Sequence, residues 1–532
     1  MNIETETGLR PRVIGLAFLY LSLAAVVFFL AFCNLDGRLF WEDEAETALL
    51  ARSILHHGVP RVDDGLNHIV LHGDQYDARN GIWTWSPWLP EYVTAASFAL
   101  FGQTTWAGRA PFAFIGWLVV LALGALAWKI YRSHRITLAA MLLLGTSEVF
   151  LLHIRQCRYY SLTVLAEILL LYGVYQILAK NRAGPWLILI ALTLQFYCNY
   201  TIAAANVPML LVLAWNLFRQ KKSSALPLIL SLGVLFLVCA PWLLYTEFWR
   251  QRSAEGQDPW TKTLLYYASH FQFNFFPWCV VLLPFSGWLM KRFTSGADHM
   301  NTKNLEGPSR RFERYLFLLP FLYTPVLLVM SGGYLRYLLP VLPALCLLVA
   351  VWLARYLKWT AVALTLLMVQ CVSNIFAVAT NLFSPQHTLR SPLADFIFST
   401  LLPYEDRFTD VLGYFKTHAY PGDVVVSWYP EFPLMFYTPL KVVDARLASP
   451  PLKPLPNWIL PVSLSDVFFL PPVSLPNDVK PDYRSITLTV HDSPRVDNLP
   501  EPDFYQSETA KIMSPFAIYE LKSEAAGPSP SR

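Results

Sequence analysis

The sequence predicts a polytopic α-helical membrane protein of about eleven transmembrane helices, with a small α/β domain at its C-terminal end. Three observations carry that expectation. Apolar runs of about 17–22 residues, the length a bilayer requires, recur along most of the chain. Charged residues make up only 15% of the 532 positions and hydrophobic ones 55%, whereas a soluble domain carries about 25% charge. Beyond residue 383 the long apolar runs stop, and Pro, Asp, Ser and Lys enter among short β-prone segments.

The first run, Val13 to Phe32, follows Arg10 and Arg12. It is too long for a signal-peptide core and lacks an A-x-A-like cleavage site, so it reads as an uncleaved first span. Cations favour the cytoplasmic side, which puts the N-terminus inside and residues 33–88 outside. The apolar segment 89–102 spans about 21 Å as a helix, short of the roughly 30 Å core, and is expected to lie at the membrane surface. Further spans are expected at 108–128, 136–153, 160–179, 185–200, 201–218, 225–245, 276–290, 315–331, 335–354 and 359–380. This count places Lys129, Arg132, Arg135, Lys180, Arg182, Arg219, Lys221, Lys222, the block Lys291–Arg314, Arg355 and Lys358 on the cytoplasmic side. Omitting one span would invert every later loop.

The expected organisation is a transmembrane domain over 1–383, containing an external loop with juxtamembrane helices at 33–107 and a second external loop at 246–275. An external α/β domain follows over 384–522, and then a disordered tail over 523–532. Within the α/β domain, Glu405 to His418 places Phe408, Val411, Leu412 and Phe415 on one helical face. Strands are expected at Val424–Trp428, Lys441–Asp444, Ile486–Val490 and Phe516–Glu520.

Several chemistries are excluded. A formal net charge of +4 makes no case for nucleic acid. No Walker A loop, G-x-G-x-x-G or G-x-S-x-G motif occurs. The seven cysteines lie in or beside apolar runs, which argues against a disulfide framework or a cysteine zinc site.

Four polar groups fall on the predicted external side. Trp41-Glu42-Asp43-Glu44-Ala45-Glu46 packs four carboxylates into five positions after the first span. Acids suit a helix N-terminus, and neighbours about 100° apart would give Asp43 and Glu44 different tasks. Arg155, Arg158 and Tyr160 sit where the span 136–153 exits; they suit a lipid-linked phosphate or snorkelling to headgroups. Arg336 and Tyr337 occupy a similar boundary, as ligands or as interfacial anchors. Residues 246–275 add Glu247, Arg250, Arg252, Glu255, Asp258 and His270. His56, His57, His68, His72, Asp63, Asp64, Asp74 and Asp77 in the first loop are compatible with a divalent metal but match no metal-ligand spacing; the metal identity stays unknown and no other cofactor is implied. Trp83, Trp85 and Trp88 suit the interface or sugar stacking.

In this order the residues resemble glycosyltransferase family 39, the polyprenyl-phosphate-sugar-dependent membrane enzymes of the type-C fold, a group that includes protein O-mannosyltransferases and the lipid A aminoarabinose transferase. The resemblance covers roughly residues 10–355. It rests on Asp43-Glu44 in the first external loop, a helix ending in Gly-Pro over Ala51 to Pro60, and Leu100-Phe101-Gly102 followed by Arg109-Ala110-Pro111. Arg158 and Tyr160 match the family's Arg-x-Tyr, and Arg336, Tyr337, Pro340 and Pro343 match its Arg-Tyr-x-x-Pro-x-x-Pro. One departure is Trp83 to Tyr92, where many members carry a His or Lys before a Pro-Pro-Leu-Tyr-like step.

The resemblance implies transfer of a sugar from a polyprenyl-phosphate donor, with inversion, to a hydroxyl of a protein, glycan or glycolipid acceptor. It implies an inner-membrane enzyme in contact with lipid, acting on the external face. Asp43 would be the general base with Glu44 in support. Arg158, Tyr160, Arg336 and Tyr337 would hold the donor phosphate, and Trp41, Trp85, Trp88 and His270 would contact acceptor or sugar. A transporter or flippase of a lipid-linked substrate is the alternative, although neither midplane charges nor an internal repeat is evident.

Overall fold

The computed structural model describes residues 11–70, 75–222, 224–250, 260–285, 307–330, 333–357, 360–381, 388–403, 405–427, 431–444, 455–460, 482–491 and 513–522. The helices are α1 (Pro11–Phe32), α2 (Glu42–His57), α3 (Leu89–Phe101), α4 (Thr105–Tyr131), α5 (His134–Gly145), α6 (Glu148–Ile154), α7 (Tyr160–Leu178), α8 (Gly184–Cys198), α9 (Tyr200–Arg219), α10 (Ala225–Tyr245) and α11 (Trp260–His270). They continue with α12 (Pro308–Met330), α13 (Leu342–Tyr356), α14 (Ala361–Val372), α15 (Ile375–Ala379), α16 (Pro392–Leu401), α17 (Arg407–His418) and α18 (Glu431–Tyr437). A two-stranded ribbon, β1 (Tyr76–Asp77) and β2 (Ile82–Trp83), sits in the first loop.

This is a multi-pass membrane protein. Among the described residues seven helices are long and apolar enough to cross a bilayer, or eight if α5 and α6 form one span. Several of the about eleven expected runs are bent, short or partly outside the described residues. The run 136–153 bends by 65° between α5 and α6, where the Thr146 hydroxyl back-bonds to the Leu142 carbonyl at 2.8 Å and Ser147 caps α6. Helix α8 has only 15 residues. The last run breaks at Ser373-Asn374, where the Asn374 amide donates to the Thr388 carbonyl. The run 276–290 gives a 3₁₀ turn over Trp278–Val281, and its end lies outside the described residues. As expected, α3 is too short to span.

The span formed by Leu335–Tyr356 is the most enclosed, 83% of its apolar window being buried, whereas α1 is peripheral at 11%. Small residues bring α7 and α8 together: a Cβ on Gly184 would lie 2.8 Å from the Ile177 backbone nitrogen. The strongly buried stripe of α13 packs on α5.

Beyond α16 the chain forms a five-stranded sheet in the order β4 (Lys441–Asp444), β3 (Val424–Ser427), β5 (Trp458–Ile459), β7 (Met513–Leu521), β6 (Tyr483–His491). The first three strands are parallel, and β7 and β6 run antiparallel. Helix α17 starts at an Asp406 cap, whose carboxylate accepts from the Thr409 amide at 2.7 Å, and buries Phe408, Val411, Leu412 and Phe415. Helix α18 and strand β5 had no expectation. The segment 523–532 lies outside the described residues.

The sheet unit is not an appendage. Its apolar residues and those of α2 and α3 form one core, in which Phe40, Leu49, Ile54 and Phe98 meet Phe415, Phe432, Phe436 and Ile518. Polar contacts fix the joint. The Tyr437 hydroxyl accepts from the Phe40 amide at 2.8 Å, Asn67 bonds the backbone of Leu440 and Val442, and Arg52 lies 4.5 Å from the Phe436 ring centre while donating to its carbonyl. Phe436 also packs edge-on to Phe40 at 5.1 Å. Phe436→Ala is expected to lower stability by about 3 kcal/mol and to speed proteolysis within residues 58–82. Thermal unfolding and limited proteolysis of the purified protein check both.

Candidate functional site

Helix α2 starts abruptly after Trp41, which occupies the cap position without a side-chain cap bond. Glu42, Asp43 and Glu44 fill its first turn, where exposed amides favour anions. It ends at Gly58, whose φ of +75° closes the helix with an amide bond to the Ile54 carbonyl. The acids at the start diverge as the helical rotation requires.

Glu44 points inward and is wholly buried. Arg109 of α4 grips it bidentately, Nε to Oε1 at 2.8 Å and Nη2 to Oε2 at 2.5 Å, and the Cys157 amide donates to Oε1 at 2.8 Å. The same guanidinium donates to the carbonyls of Leu35, Arg38 and Leu39. Glu44 therefore anchors the loop to α4 and to the turn before α7, and its carboxylate does not reach open space.

Asp43 points the other way, its side chain 26% exposed. Two arginines meet its Oδ2: Arg158 Nη2 at 3.4 Å and Arg336 Nη2 at 3.7 Å. Arg158 is held through Nη1, which donates to the Asp43 carbonyl at 2.9 Å, Glu46 Oε1 at 3.0 Å and Thr47 Oγ1 at 2.8 Å. Its buried Nε has no partner. The Nε–Nη2 edge, the side of the guanidinium that grips an oxyanion in a fork, is thus engaged only by the long Asp43 contact. Arg336 lies among aromatic faces, 4.1 Å from the centre of Tyr334, 5.8 Å from Trp41 and 5.9 Å from Tyr337.

Tyr160 begins α7, is buried, and has an unpartnered hydroxyl. Burial pushes the Glu46 carboxyl above the usual range, against the pull of Arg158. On α3, Glu91 is also buried, and burial raises its carboxyl to about 8. Mostly protonated near neutrality, it adds little negative charge beside Glu46 and Arg158.

The remaining expected ligands are placed as follows. Trp41 is a buried wall whose indole N–H donates to the Gln156 side chain. Tyr337 uses its carbonyl to accept from the Tyr323 hydroxyl. The Trp85 carbonyl accepts from Tyr200, and Trp88 packs on Trp242 while bonding the Trp83 carbonyl, so both face α9 and α10. His270 ends α11, bonded to Asn274 and packed on Tyr266. Arg155 turns away: it donates to the carbonyls of Leu30, Ala31 and Asn34 and so caps α1. In the first loop Asp63 and Asp64 are taken by local turns, Asp77 by Arg79, and His68 packs on Tyr76. No group of three His, Cys, Asp or Glu suited to a metal occurs among the described residues. His72, Asp74, Arg252, Glu255 and Asp258 lie outside them.

The roles of Arg109, Gln156 and Cys157 were not legible beforehand. Arg109 stood within a matching motif, but its partner lies 65 positions away and nothing local marks the pair.

Residues 86–245 match the family model described as dolichyl-phosphate-mannose-protein mannosyltransferase. No protein of curated function matches by sequence. In structure the chain is similar to ArnT from Cupriavidus metallidurans bound to undecaprenyl phosphate, with a TM-score of 0.54 and 15% identity over 81% of this chain and 86% of that one. The apo form of ArnT gives 0.50 and 16% over 80% and 84%. The fold is that of the type-C glycosyltransferases, as the motifs implied.

Removing one member of a buried ion pair leaves the other uncompensated, at about 3–5 kcal/mol. Glu44→Gln should therefore sharply reduce the yield of folded protein. Arg109→Met should reduce it further, because three carbonyls lose their donor as well. Size-exclusion profiles and melting temperatures of the detergent-purified variants check the order.

Proposed function

We propose that this chain, built on the type-C glycosyltransferase fold, transfers a sugar from a polyprenyl-phosphate donor to an acceptor hydroxyl, with inversion at C1. The observation that carries the reading is the pair Arg158 and Arg336 converging on Asp43 Oδ2, with the Arg158 fork otherwise unused. Two cations beside one partly open carboxylate suit an anion that arrives and a proton that leaves.

Without donor, Asp43 and Glu46 offset the two arginines. When the donor docks, its phosphate takes the Nε–Nη2 edge of Arg158 and the free side of Arg336, and the Tyr160 hydroxyl donates to it. Asp43 then loses part of its cationic shielding and becomes a better base. The acceptor oxygen attacks C1 as its proton passes to Asp43. The C1–O bond to phosphate breaks, and its electron pair leaves on the phosphate, whose growing charge the two arginines stabilise. The phosphate leaves as an anion, so no general acid is needed. Glu44 acts as a positioning residue through Arg109 and the Cys157 amide. The first loop and the sheet unit would face the external compartment of the cytoplasmic membrane, with the N-terminus inside. The sheet unit, joined to α2, is the natural acceptor platform.

Asp43→Asn keeps the shape and removes the base. It should lower transfer by about 10²–10⁴-fold while undecaprenyl-phosphate binding stays intact. Arg158→Lys keeps the charge and removes the fork, and should weaken that binding at least about tenfold. Release of free polyprenyl phosphate from a glycosylated donor in membranes measures the first, and lipid titration of purified protein the second. Full transfer by Asp43→Asn would overturn the assignment of the base.

A further inference from the structure

One buried group beside this cluster has no task in the reaction just described. His153 sits on the last turn of α6 and is 1% exposed. Its Nδ1 lies 2.7 Å from the Val149 carbonyl. A carbonyl only accepts, so Nδ1 carries the hydrogen and Nε2 keeps its lone pair. That Nε2 is buried and without a partner. The imidazole stands edge-on to Tyr160, with ring centres 4.9 Å apart, and the Tyr160 hydroxyl is likewise unpartnered. His153 lies within electrostatic reach of Arg336 and His270, and Tyr160 within reach of Arg336, Asp43 and Arg158. Two orphaned polar atoms, one a donor and one an acceptor, thus belong to neighbouring rings, both within electrostatic reach of Arg336.

Leaving such atoms buried and unpaired costs stability, a cost recovered when a ligand pairs with them. The two atoms ask for different partners. The Tyr160 hydroxyl can donate to a phosphate oxygen. An imidazole lone pair repels a phosphate oxygen and instead accepts from a hydroxyl or amino group.

Resting on the polyprenyl-phosphate reading above, we propose that His153 Nε2 accepts a hydrogen bond from a ring hydroxyl or amino group of the donor's sugar. His153 is then a specificity-determining residue, which tells the glycosylated donor from the bare lipid phosphate left after transfer. A sugar without a donor group at that position leaves the lone pair unpaired, and a site built to pair with a hydroxyl rejects its deoxy analogue strongly.

The test uses full-length detergent-purified protein and four probes: undecaprenyl phosphate, and the same lipid carrying mannose, glucose or aminoarabinose. The wild type is expected to bind at least one glycosylated lipid more tightly than the bare one. His153→Leu should weaken that binding at least about tenfold and leave the bare lipid within about twofold. His153→Gln, whose amide oxygen can restore an acceptor, should recover most of the difference. A wild type that shows no preference for any glycosylated probe overturns the proposal. So does a His153→Leu variant that loses both lipids equally, or neither. Failure of the wild type to bind even undecaprenyl phosphate would overturn the donor reading itself, and the His153 proposal with it.

Discussion

The buried pairing of Glu44 with Arg109 is the constraint on which the site depends. It joins three stretches at one point: the start of α2, the first turns of α4, and the turn carrying Gln156 to Arg158. Five hydrogen bonds from one guanidinium fix the chain entering α2 as well as the helix itself. Such a pair adds little net stability, because desolvating both ions offsets most of their attraction. What it contributes is register. With Glu44 pinned inward, Asp43 has to face outward, and with the Cys157 amide tied to Glu44, Arg158 is delivered to Asp43.

The electrostatics around Asp43 follow from which charges remain available. Arg109 and Arg155 are spent on carbonyls, and Arg390 on Glu148 and Asp395. Arg158 and Arg336 share a single exposed carboxylate oxygen at distances longer than an ideal charge-assisted bond. Burial raises the carboxyls of Glu46 and Glu91, the latter to about 8, so Glu91 adds little to the negative charge facing the arginines. An anionic headgroup is the natural complement.

Features set by short-range chemistry could be read from the sequence. The Gly58 helix stop, the apolar face of α17, the strand Lys441–Asp444 and the short α3 follow from spacing and propensity. The type-C fold followed from motif order. The breaks at Thr146-Ser147 and Ser373-Asn374 did not, because hydropathy records composition while they arise from side chains bonding the backbone. The bond from Trp41 to Gln156, 115 residues on, has no local mark in the sequence. The common core of the first loop and the sheet was invisible for the same reason. Pairings such as Phe40 with Tyr437 have no local signature.

That common core has a consequence for biogenesis. Asn67 waits for a partner 373 positions downstream, and Phe40 for one 397 positions downstream. During synthesis the loop bearing Asp43 is delivered early, while α18 and the sheet emerge only near the end. Until then the faces of α2 and α3 that meet the sheet unit stay uncovered, and loop closure over such a separation is slow. A half-made chain therefore lacks the cover that α18 and the sheet give this loop. The packing around the loop bearing Asp43 is thus completed only after the strands between Val424 and Leu521 have been made.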